Sequence, residues 1–241
     1  MRVLDDLVAE ATGRRVRTDP IRPGSGGPAG NARLTAWTGA LLLALVVAQL
    51  VTLLDVDGRM SWHVTVGALL VPVALTKTAS TSWRFLRHHG RSAPYRVAGP
   101  PPTALRVLGP LLVVSTLAAL TSGIVVELVG PARGSRTLLT AAGQRVDLVT
   151  VHQVLALTFL VCAGLHLLGR VARAFAVLTG REAHSAGSAD PVPGGGRRAM
   201  VLVGALAAGA VVTALLLPGA ADWQHDHGPG QVPHGIVGPP R

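Results

Sequence analysis

Nine histidines occur in this chain of 241 residues, and three of them lie inside long apolar runs: His63, His152 and His166. Ionisable side chains are costly in such runs and concentrate at functional sites. His152 and His166 are 14 residues apart. At 3.6 residues per turn this is close to four turns, so both rings face one side of a helix, about 21 Å apart along its axis. His63 is followed at the same offset by Lys77, the sole lysine of the chain. Neutral imidazole is a ligand for transition metals, and two imidazoles offered by facing helices supply the axial pair of a b-type haem. The spacing thus points to haem-iron ligation. The plainer reading of each histidine is a hydrogen-bonded helix contact, and for His166 a polar packing or proton-handling role.

The elements that must position these residues follow from composition. Hydrophobic residues make up 49% of the chain, charged residues 14% and aromatic residues 3%. Soluble domains carry roughly 25% charged residues, and a mean hydropathy of +0.46 excludes an ordinary disordered chain. A single cysteine, Cys162, forms no internal disulfide. A bilayer core of about 30 Å takes about 20 apolar residues per helix. Five runs meet that need: 34–54, 62–83, 105–129, 148–171 and 200–217. They are continuous and lack the alternation of membrane β-strands. The sequence predicts an all-α integral membrane protein of five transmembrane helices, with a four-helix haem-binding bundle core plus one extra helix. Residues 1–33 read as a cytoplasmic flexible tail, 34–218 as the five-helix domain, and 219–241 as an extracytoplasmic His/Gly/Pro-rich tail. Residues 1–33 do not read as a cleavable signal, because no apolar core follows a short basic region.

The net charge of +10 would suggest nucleic acid only if the basic residues clustered on a soluble face. Instead they alternate between segments. Sixteen arginines fall in the N-terminal tail and in the loops after the second and fourth runs, and five fall on the other side. Loops rich in Lys and Arg stay cytoplasmic, so the expectation is a plasma-membrane protein with N-terminus inside and C-terminus outside, partnered by the lipid bilayer and not by nucleic acid.

That topology makes the second and fourth helices parallel and sets His63 and His152 at one depth, near the external face, where they can approach one iron from opposite sides. At the other level His166 faces Lys77, and a protonated lysine cannot ligate iron. One haem is expected and a second is not favoured. Arg59 and Arg145 precede these two helices, where each could pair with a haem propionate through a bidentate bond or simply end the helix at the headgroups. Lys77 could meet a propionate or quinone oxygen, or snorkel toward the headgroups. His88 and His89 read as an interfacial solvated face. In the tail, His225 and His227, with His234, could hold a metal weakly, against the plainer reading of a solvated tail. Ala119 with Gly123, and Ala205 with Gly209, are small-residue pairs that permit close helix contact. No Walker loop, dinucleotide fingerprint or nucleophile elbow appears.

Several of these residues resemble a known group. Trp62-His63-Val-Thr-Val-Gly67, Leu75-Thr-Lys77-Thr, Trp83-Arg84, Tyr95-Arg96, Gly99-Pro-Pro-Pro102, His152-Gln153 and Leu165-His166-Leu167 look like membrane cytochrome b561-type regions, including some that precede an extracellular molybdopterin oxidoreductase domain. The resemblance covers about residues 34–218. It implies b-haem ligation by His63, His152 and His166 and electron transfer across or along the membrane. The 23 residues after Pro218 leave no room for a molybdopterin domain, so the chain is expected to be at most an electron-transfer component of an oxidoreductase. The leading expectation is a membrane haem b subunit passing electrons between a quinol or other donor and an external redox partner. The alternatives are a cofactor-free membrane anchor or scaffold with structural histidines, and metal handling through the tail.

Overall fold

The computed structural model describes residue 12 and residues 19–98, 103–179 and 192–226. Its architecture is helical. The elements run α1 (Gly27–Thr52), a 3-10 turn (Leu53–Asp55), α2 (Met60–His89), α3 (Ala93–Val97), α4 (Thr103–Val129), α5 (Pro131–Gly134), α6 (Leu148–Leu168), α7 (Val171–Leu178) and α8 (Gly195–Asp226). A two-stranded hairpin, β1 (Leu139–Ala141) and β2 (Gln144–Val146), precedes α6. Five helices are long and apolar enough to cross a membrane, as the hydropathy pattern requires: with no water in the hydrocarbon, each span satisfies its own backbone.

Three of the helices outrun the apolar segments. α1 begins at Gly27, ahead of Leu34, because Pro28 in its first turn follows Gly26 in the left-handed region at φ 79°, a pairing that starts a helix without a donor to waste. α2 continues past Trp83 to His89, and α8 continues through Pro218 to Asp226. The hairpin carries no hydropathy signal. Its turn has Ala142 at φ 49° and Gly143 at φ 77°, both positive as a tight two-residue turn demands, and Leu139 pairs with Val146, Thr140 with Arg145 and Ala141 with Gln144.

α2 sits at the centre. It packs along α8 and α1 and touches α4, while α6 lies chiefly on α4. Its Val66, Ala68, Leu70, Val73, Ala74 and Ser80 are buried, whereas α6 buries no residue fully. The small-residue pairs mark two of these seams. A side chain at Gly209 would come 2.9 Å from Leu69 of α2, and one at Gly123 would come 3.0 Å from the ring of His152 on α6. Ala119 and Ala205, one turn away, are buried.

Close approach of α8 to α2 therefore depends on Gly209. Gly209→Leu should lower stability by about 1–3 kcal/mol, the usual cost of overpacking. Gly204 on the same helix has nothing within 4 Å of its would-be side chain. A thermal melt in detergent in which Gly204→Ala falls as far as Gly209→Leu would refute this seam.

Candidate functional site

The site is built where α1, α2, α4 and α6 approach one another. The rings of His63 on α2 and His152 on α6 lie with centroids 6.4 Å apart and planes at 87°. α2 and α6 make little other direct contact, so the two imidazoles are where these helices meet.

Each ring is held by a hydroxyl on a neighbouring helix. Thr52 Oγ1 donates to the Gln49 carbonyl at 2.6 Å and lies 2.9 Å from His63 Nδ1. Ser122 Oγ donates to the Ala119 carbonyl at 2.9 Å and lies 3.0 Å from His152 Nδ1. The two sites are thus alike in form, a hydroxyl tied to its own helix standing beside each Nδ1. At His63 the Gln49 amide nitrogen lies 3.1 Å from Nε2 and 3.0 Å from Nδ1, and Gln49 Oε1 is buried without a partner among the described residues. At His152 the ring lies on Gly123, whose missing side chain leaves it that place.

The other expected site residues are distributed differently. His166 stands on α6 at the level of Lys77, and Lys77 and Arg170 are close enough to act on it electrostatically. Its buried Nδ1 has no partner among the described residues. The Lys77 ammonium crosses to α1 and donates to the Thr35 carbonyl at 2.9 Å, lying against Gly39. Arg59 is half-buried and donates to the Val51 carbonyl at 3.0 Å. Arg145 is exposed on β2. His88 Nδ1 donates to the Tyr95 carbonyl at 3.2 Å and His89 Nδ1 to the Phe85 carbonyl at 2.9 Å, local bonds in keeping with an interfacial face. His225 ends α8, while His227 and His234 lie outside the described residues.

Two positioning residues, Thr52 and Ser122, have no unusual neighbours in the sequence, while Gly123 stood out only as a small-residue partner of Ala119. Gln49 does carry a signal, as the strongly polar residue inside the first apolar run. Asp19 is also unannounced, yet its carboxylate is buried and clamps Arg84 of α2 at 2.6 Å and Arg173 of α7 at 3.1 Å.

Comparison with protein-family models, with curated proteins and with solved structures gives no match to this chain.

α6 is launched toward the site by Asp147, the N-cap, whose Oδ1 accepts from Thr150 N at 2.7 Å and from Thr150 Oγ1 at 2.8 Å. The Thr150 N–H beside Asp147 holds its carboxyl below the usual carboxylate range. A carboxyl depressed in the folded state stabilises fully above its unfolded value, near pH 4, and loses that contribution as the pH falls through the folded value. Asp147→Ala should cost about 1 kcal/mol at neutral pH. Melting both proteins as a function of pH checks the sign: the gap should close in acid, and a gap that widened there would contradict it.

Proposed function

We propose that the chain is a membrane haem b electron-transfer subunit, with His63 and His152 as the axial ligands of a single haem. The carrying observation is the pair of facing imidazoles, each with its Nδ1 within hydrogen-bond distance of a hydroxyl on a neighbouring helix. A ligating histidine nearly always donates its other ring N–H to a neighbouring acceptor, which fixes its tautomer and orientation. The spacing also fits. With a metal–nitrogen bond of about 2.0 Å, two imidazoles on opposite sides of one ion have ring centres about 6 Å apart, against 6.4 Å between His63 and His152.

The donor count favours haem over a bare ion. Zinc sites take three or four protein ligands, and no group of three His, Cys, Asp or Glu is suited to a metal ion among the described residues. Two imidazoles complete a site only where other donors come with the metal, as the four nitrogens of a porphyrin do. Bound haem would supply reversible one-electron exchange at a potential tuned by its axial ligands and burial. The chain's own residues would hold both rings between neighbouring helices through Thr52, Gln49 and Ser122. Gln49 would give up its bond to His63 Nε2 on ligation. His166 lacks the hydroxyl that orients the other two rings, so it is left out of the pair.

The same reading orients the chain with its arginine-rich loops in the cytoplasm, by the positive-inside bias, and sets the His63–His152 level near the external face. The electron donor would be a quinol or comparable carrier and the acceptor an extracytoplasmic redox protein. The likeness to cytochrome b561-type regions supports the same assignment.

The absorption spectrum of the purified protein tests it. A Soret band and a reduced α-band should appear at one haem per chain. His63→Ala and His152→Ala should each abolish them, while His166→Ala and Gln49→Leu should retain them. A chain purified with no Soret band after haem supplementation would reduce the histidines to helix contacts, and loss of haem in the His166 variant alone would overturn the pairing. Gly123→Val, which drives a side chain into the His152 ring, should lower haem occupancy at least tenfold without touching a ligand, since displacement of a supporting group typically costs 10–100-fold.

A further inference from the structure

We propose that the cavity between the start of α1 and the end of α2 binds the phosphate headgroup of an anionic phospholipid. The cavity measures about 270 Å³, just under the range of about 300–1,000 Å³ typical of small-molecule sites. Arg22 and Ser25 line it from the segment before α1, Trp83 and Arg87 from α2, and Ser92 and Tyr95 from the α2–α3 junction.

Its charge is one-sided. Neither Arg22 nor Arg87 meets a carboxylate among the described residues. Asp19, the carboxylate that does act at this end of the bundle, is committed to Arg84 and Arg173 instead. The Arg87 guanidinium and the stem of Arg22 are nonetheless held in place. Arg87 lies over the Trp83 ring at 5.4 Å and the Tyr95 ring at 5.9 Å, cation–π contacts that position the cation without neutralising it. The Arg22 side chain lies against Gly27, where a Cβ would come 2.8 Å from it. Gly27 also sits at φ 57°, a conformation that suits glycine on both counts. A guanidinium fixed over two rings, a second arginine rooted by its stem, and hydroxyls beside them with no acid between make a cradle for a phosphate.

The surroundings favour a lipid over a soluble anion. The cavity lies at the end of a membrane-spanning helix, beside exposed Trp83, with Phe85, Leu86 and Val97 exposed nearby. Interfacial tryptophan and tyrosine sit at headgroup depth, and exposed apolar side chains there can border acyl chains. Basic pockets at helix ends recognise anionic headgroups in this way.

Native mass spectrometry of the full chain, released from mixed micelles of phosphatidylglycerol and phosphatidylcholine, tests the assignment. The wild type should retain phosphatidylglycerol in preference. At about 1 kcal/mol for each arginine near an anionic surface, Arg22→Gln or Arg87→Gln should weaken that preference about fivefold and the pair about 30-fold. Arg96→Gln, on the same surface but outside the cavity, should leave it unchanged. An equal loss in the Arg96 variant would mean diffuse attraction and overturn the site. Displacement of the lipid by millimolar inorganic phosphate would assign the cradle to a soluble anion and overturn the lipid reading. Arg22 lies outside the helices, so Arg22→Gln with unchanged helicity by circular dichroism keeps the test decisive even where the Arg87 variant misfolds.

Discussion

A polar side chain inside an apolar span has no water to turn to, and it must find its partner on its own helix or the next one. That requirement fixes how these helices are rotated, since faces of Leu, Val and Ala pack equally well against lipid and against each other. Along α1 and α2 the polar partners fall at both ends of the seam. Asn31 and Thr35 of α1 bond to Ser80 of α2 at one end, where Lys77 also reaches the Thr35 carbonyl. Gln49 and Thr52 meet His63 at the other. Between α4 and α6 the equivalent lock is Ser122 with His152. The two halves, each pinned by such bonds, bring their histidines to face one another.

The hydroxyls matter more than their modest bond energies suggest. In each case the Ser or Thr donates back to a carbonyl three residues earlier on its own helix, a habit these residues have in membrane helices. The habit ties each hydroxyl to its own helix, so the ring that meets it is held at a fixed place along the seam. Two unrelated positions, one Thr and one Ser on different helices, arrive at the same arrangement around two histidines. The His166 ring differs, since its buried Nδ1 has no partner among the described residues.

Much of this was legible in the residues and some could not have been. Five spans follow directly from hydropathy, because the bilayer fixes their length. The depth match of His63 and His152 follows from counting residues along parallel helices, which needs no knowledge of packing. Thr52 and Ser122 were hidden because a partner is chosen by helix rotation, and rotation is set by side chains more than ten residues away in sequence; the Ala119–Gly123 spacing marked a close contact but not the His152 ring as its partner. Gln49 stood out by polarity alone but named no partner. The reach of Lys77 to α1 went unforeseen, because snorkelling considers only the residue and the headgroups, not a neighbouring carbonyl within range. The Asp19 clamp joins residues 65 and 154 positions apart, and no local pattern encodes that. The hairpin before α6 is too short for periodicity, though its Ala-Gly turn is visible once sought.

The sequence repeats one offset on two helices, 14 residues from His63 to Lys77 and from His152 to His166, and so suggests two equivalent levels. The folded chain makes the levels chemically different. At the first, two imidazoles meet 6.4 Å apart, each beside a hydroxyl of a neighbouring helix. At the second, an ammonium is anchored to the Thr35 carbonyl and Arg170 stands near His166. Under the proposed reading a metal cation would enter the first level, while the second, with two cations beside one imidazole, would suit an anionic or carbonyl oxygen. The difference between the two levels rests on the single lysine in the chain.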